Sequence, residues 1–93
     1  MGRFIVITLP KAEEHLKEYK KSGNKVILNR IKRILKELEE HPETGIGRPE
    51  KLKYGYSGQW SREIDKKNRM IYQIYETSIV VEIISAKGHY DDH

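Results

Sequence analysis

Residues 69–85 read RMIYQIYETSIVVEIIS. Met70, Tyr72 and Ile74 alternate with Arg69, Ile71, Gln73 and Tyr75, the period of a strand whose successive side chains face opposite ways. A second run rich in β-branched residues follows at 79–85, and Glu76-Thr77 between the two reads as a hairpin turn. If Met70, Tyr72 and Ile74 lie under a covering layer, Arg69 emerges on the opposite, open face. Upstream, 59–64 reads as a third strand, joined to the others through a turn at 65–68.

The N-terminal half supplies the covering layer. Residues 3–9 read as a first strand, and Thr8 before Leu9-Pro10 signals helix entry, because proline suits a first helical turn. A short amphipathic helix follows over 11–21, with Ala12, Leu16 and Tyr19 on one face, and Ser22-Gly23 stops it. A longer helix spans 24–40, where Ile27, Ile31, Ile34, Leu35 and Leu38 form one apolar stripe. His41-Pro42 ends it, since a residue before proline avoids helical dihedrals. Residues 42–58 hold four of the seven glycines and read as one long ordered loop. The order is β-α-α-β-β-β. It predicts an α+β fold, two helices on one face of a twisted, mainly antiparallel sheet, in a single domain over residues 1–93. A core this small predicts added stability from a partner or a dimer.

With 93 residues and no cysteine, the chain excludes disulfide scaffolds, thiolate zinc sites and thiol nucleophiles, and suits a reducing cytoplasm. Its first apolar run is too short for a signal peptide, and no stretch is long enough to span a membrane. The formal net charge is +4. Residues 48–69 alone hold seven bases and three acids, so they carry an excess equal to that of the whole chain. The helical region mixes its charges, as solvated helices do. The basic, aromatic stretch PEKLKYGYSGQWSREI at 49–64 is therefore the better candidate for a polyanion surface.

An acid in such a surface repels phosphate unless it has a task. Cutting RNA without a metal requires a base for the 2′-hydroxyl, a cation for the charge growing on phosphate, an acid for the leaving 5′-oxygen, and a platform for an unstacked base. Glu50 fits the base, since a carboxylate among lysines and an arginine stays ionised. Arg69 and Lys53 fit the cations, His89 the acid, and Tyr90 or Tyr56 the platform. Taken singly, each also reads as an ordinary surface group. Trp60 and Tyr72 read as core, and His15 and His41 as plain helix-surface residues. The tail HYDDH at 89–93 matches no standard metal spacing, so neither a metal nor another cofactor is expected. GIGRPE at 45–50 lacks the last glycine of a dinucleotide fingerprint.

Together the segments GIGRPEKLKYGYSGQWSREIDKKNRMIYQI and SAKGHY resemble the YoeB/Txe family of toxins, within the wider RelE superfamily. The ordered elements are Gly-x-x-x-x-Leu-Lys, Ser-Gly-x-Trp-Ser-Arg, Arg-x-x-Tyr and a final His-Tyr. The resemblance implies a ribosome-dependent endoribonuclease that cleaves mRNA in the A site and inhibits translation. It also implies a small cognate acidic antitoxin that wraps the toxin, and family toxins commonly form homodimers. The implied general base falls on Glu50, the transition-state arginine on Arg69 and the general acid on His89. The implied RNA contacts fall on Lys53, Arg62 and Tyr90. Three features depart from the family pattern: Glu63 where a second arginine is common, Asn68 where histidine is common, and the extra Asp91-Asp92-His93. Two rivals share the fold, a gyrase-directed toxin and a non-catalytic RNA-binding toxin. The gyrase-directed one requires no base and acid on the open face, and cleavage on ribosomes separates all three readings.

Overall fold

A computed structural model describes residues 3–53 and 58–88. Strand β1 (Ile5–Thr8) leads into helix α1 (Pro10–Ser22), then helix α2 (Lys25–Glu40), and then strands β2 (Glu50–Lys51), β3 (Gln59–Glu63), β4 (Arg69–Tyr75) and β5 (Val80–Ser85). The five-stranded sheet has the order β1-β5-β4-β3-β2. β1 runs parallel to β5, and the remaining neighbours are antiparallel. The expected α+β architecture holds, with one addition. The 42–58 stretch expected as loop contains the two-residue strand β2.

Local chemistry accounts for the helix ends. Pro10 opens α1, where the sequence signalled helix entry, and the preceding Leu9 gives no side-chain cap. Gly23 closes α1 at φ 71, a left-handed conformation that glycine adopts without a Cβ penalty. Asn24 caps α2 by accepting the Ile27 amide N–H at 3.1 Å. The stripe of α2 then buries Ile31, Ile34 and Leu38 against Met70, Tyr72, Val81 and Ile83 of the sheet, and α1 adds Ala12 and Tyr19. Strand β4 keeps the expected alternation, with Met70 and Tyr72 fully buried and Arg69 on the other face. Among the described residues no helix is long and apolar enough to cross a membrane.

Candidate active site

The segment between α2 and β2 looks like a loose Gly/Pro loop, yet it is sewn onto the core. Glu37 near the end of α2 accepts the Ile46 amide at 3.0 Å and Arg62 Nη1 at 2.6 Å on its Oε1. Its Oε2 accepts Arg33 Nε at 3.3 Å. Arg62 Nη2 donates to the carbonyls of Pro42 at 3.1 Å and Thr44 at 2.9 Å. The guanidinium stands 5.8 Å from the ring centroid of Tyr72, whose hydroxyl also donates to Pro42 O, at 2.8 Å. Gly45 (φ 123) and Gly47 (φ 82) are needed for the close approach. A Cβ on Gly45 would overlap the Glu37 carboxylate, and one on Gly47 would stand 2.5 Å from Glu63 O. Glu63 N donates to Gly47 O at 2.6 Å, and the segment then runs directly into β2 and Glu50.

Strand register builds the open face. Glu50 lies opposite Ser61, Ser61 opposite Ile71, and Glu63 opposite Arg69. Residues opposite in register, and residues two apart on a strand, share a face, so Glu50, Ser61 and Arg69 meet there. Arg69 Nη2 donates to Glu50 Oε1 at 3.3 Å, and Arg69 Nε donates to Ser61 Oγ at 2.5 Å. The Glu50 side chain is 51% exposed and that of Arg69 20%, so the pair is open to a ligand.

The chain that leads to His89 is held beside this pair. Arg69 N donates to Gly88 O at 3.0 Å, and Gly88 N donates to the Asn68 side-chain oxygen at 2.9 Å. Asn68 is itself fixed by the turn at 65–68. Asp65 Oδ1 accepts the N–H of Lys67 and of Asn68, and the Asn68 side-chain amide donates to both carboxylate oxygens. Burial pushes the Asp65 carboxyl upward, but these hydrogen bonds outweigh it and hold the group below its ordinary value. From the other side, Tyr19 of α1 donates its hydroxyl to Ala86 O at 2.7 Å, and His15 Nδ1 accepts Ala86 N at 3.1 Å. Burial pushes the Tyr19 hydroxyl up to about 12.

The structure thus brings Glu50 and Arg69 together. Lys53 is exposed two residues beyond β2. Arg62 departs from the expectation of an RNA contact, because its side chain is 0% exposed and tied beneath the 42–49 segment. Strand parity gives the reason. Trp60 pairs with Tyr72 and Arg62 with Met70, so both point toward the helices, and the structural reading of Trp60 applied to Arg62 as well. His15 is likewise more than a plain surface residue. His89, Tyr90 and Tyr56, expected as acid and stacking groups, lie outside the described residues. Sequence reasoning passed over Ser61, Glu37 and the anchoring role of Asn68. Of these, Ser61 carried a signal, since it alternates with Trp60 and Arg62 and so belongs to the face of Arg69.

Solved structures give the class first, that of small bacterial toxins with two helices on a five-stranded sheet. A YoeB dimer from Staphylococcus aureus superposes with a TM-score of 0.79 at 32% identity, over 95% of this chain and 99% of that one. A YoeB–YefM complex from Staphylococcus aureus gives 0.76 at 34% identity, again over 95% and 99%. Toxin YoeB of Synechocystis sp. is 40% identical over 68 residues, 73% of this chain and 77% of that protein. The sequence model of the YoeB-like toxin of bacterial type II toxin-antitoxin system matches residues 10–90. The chain belongs to that family, and is a type II toxin of the YoeB kind.

Proposed function

We propose that this toxin is a ribosome-dependent endoribonuclease that cuts mRNA in the A site and so stops translation in the cytoplasm. The observation that carries the reading is the Glu50–Arg69 pair on the open face, set on a rigid sheet and exposed to a ligand. Glu50 takes the proton from the 2′-hydroxyl, whose oxygen attacks the adjacent phosphorus. Arg69 and Lys53 stabilise the charge that develops on the phosphate oxygens. His89 delivers a proton to the 5′-oxygen as the P–O5′ bond breaks, and Tyr90 stacks on a base. The products are a 2′,3′-cyclic phosphate and a 5′-hydroxyl. A cognate antitoxin, of which the YoeB–YefM complex of a related protein is an instance, meets the basic 48–69 region with an acidic segment, and a homodimer like that of the staphylococcal relative is part of the proposal.

The test is cleavage of an mRNA on programmed ribosomes, with the ends of the fragments mapped chemically. A cut within the A-site codon and a cyclic phosphate end are expected. A fragment ending in a plain 3′-hydroxyl overturns the proposed chemistry. Translation arrest without cleavage favours a non-catalytic RNA-binding toxin, and inhibition of gyrase with intact mRNA favours the gyrase-directed one.

A further inference from the structure

Ser61 is a polar residue with 0% exposure on the open face of the sheet. Two other buried polar side chains among the described residues, Glu37 and Arg62, bond to each other beneath the 42–49 segment. Ser61 instead sits opposite Glu50 on β2 and Ile71 on β4, and its hydroxyl accepts Arg69 Nε at 2.5 Å. It therefore lies between the residue proposed as base and the residue proposed as cation, on the middle of a paired strand.

A guanidinium is planar, so fixing Nε and one terminal nitrogen fixes the plane of the whole group. Ser61 holds Nε, and Glu50 receives Nη2 at 3.3 Å. The backbone of Arg69 is itself tied through its N–H to Gly88 O. An arginine side chain otherwise samples many rotamers, and each must be lost before it can meet a phosphate in a defined way. A serine hydroxyl has no charge and does not compete with phosphate for the cation.

We propose that Ser61 is a positioning residue, which orients the plane of Arg69 so that its terminal nitrogens, rather than Nε, face the scissile phosphate. The inference rests on the endoribonuclease reading above. It makes Ser61 a determinant of rate and not of ribosome affinity.

The experiment compares wild type, Ser61→Ala, Ser61→Thr and Ser61→Cys, each alone and with Arg69→Lys, in single-turnover cleavage on ribosomes. Loss of a hydrogen bond to a charged group predicts a fall of about ten- to hundredfold in the cleavage rate of Ser61→Ala, with KM unchanged. Threonine keeps the hydroxyl and recovers most of the rate, and cysteine is intermediate. Lysine has no Nε–H to orient, so Ser61→Ala on Arg69→Lys should cost nothing further. Wild-type cleavage by Ser61→Ala, or an equal loss in the lysine background, overturns the proposal. Should Ser61→Ala fail to fold, Ser61→Cys and Ser61→Thr carry the same comparison. A second readout is independent of activity. Solvent exchange of the Arg69 Nε–H, followed by NMR, should be slow in wild type and fast without the hydroxyl. If wild type cuts nothing, the endoribonuclease reading fails, and this exchange rate alone decides whether Ser61 holds Arg69. Equal exchange in wild type and variant overturns that role.

Discussion

Arg62 and Arg69 stand on neighbouring strands, and Arg62 pairs in register with Met70, the residue next to Arg69. They meet opposite environments. Arg62 points under the helices, with a side chain 0% exposed, and is held by Glu37, Pro42 O, Thr44 O and the Tyr72 ring. Arg69 points to the open face, 20% exposed, and shares its donors between Ser61 and Glu50. In the interior a guanidinium is tolerated only when paired and hydrogen-bonded. On the open face the same group remains partly solvated and can turn its charge on a ligand. One residue of strand parity separates a structural clamp from a proposed catalytic cation. The two arginines are also linked, because the clamp around Arg62 sets the course of the chain that delivers Glu50 to Arg69.

Arg62→Ala should give the largest effect. It leaves the Glu37 carboxylate without its core partner and removes one donor from each of two loop carbonyls, so the fold should lose about 3–5 kcal/mol, read from denaturant unfolding. A variant as stable as wild type that has lost cleavage would reverse the roles assigned to the two arginines. Arg69→Ala should do the opposite. Its stability should fall far less than that of Arg62→Ala, by about 1 kcal/mol, because the Glu50 it leaves behind is 51% exposed and is solvated by water. Its cleavage rate on ribosomes should fall roughly a hundredfold or more. Arg69→Lys should recover only part of this, because a point charge cannot reproduce the planar fork.

A smaller effect tests the far side of the Arg69 site. Burial raises the Tyr19 hydroxyl to about 12, above its ordinary value of 10.0, so above pH 10 the unfolded state releases this proton first. The contribution of Tyr19 to stability is therefore complete below about pH 10 and is lost as pH rises toward 12. Tyr19→Phe should lower neutral-pH stability by about 1 kcal/mol, through the lost bond to Ala86 O, and should flatten the alkaline fall in stability. The denaturation midpoint measured from pH 9 to 12 checks both. An unchanged alkaline slope would detach Tyr19 from the clamp on the segment before Gly88.

Much of this was legible in the residue order. The stripe of α2, the alternation of β4 and the proline and glycine at the ends of α1 are local periodicities, and they appear in the structure within a residue or two. The approach of Glu50 to Arg69 followed from the exposed parity of Arg69 and from the resemblance. β2 was not legible, because two residues carry no period, and only pairing with β3 makes them a strand.

By itself, then, the sequence determined the α+β order, the covered face of the sheet and the family. Each depends on spacing along one chain, which hydrophobic burial converts into structure. Tertiary structure alone decided that Arg62 is interior, that Glu37 holds the 42–49 segment, and that Ser61 and Asn68 brace Arg69 and Gly88. Those contacts join residues 8 to 25 positions apart. They follow from strand register and from the pairing of buried polar groups; strand alternation marks the face a residue takes, but local sequence does not name the distant partner it meets there.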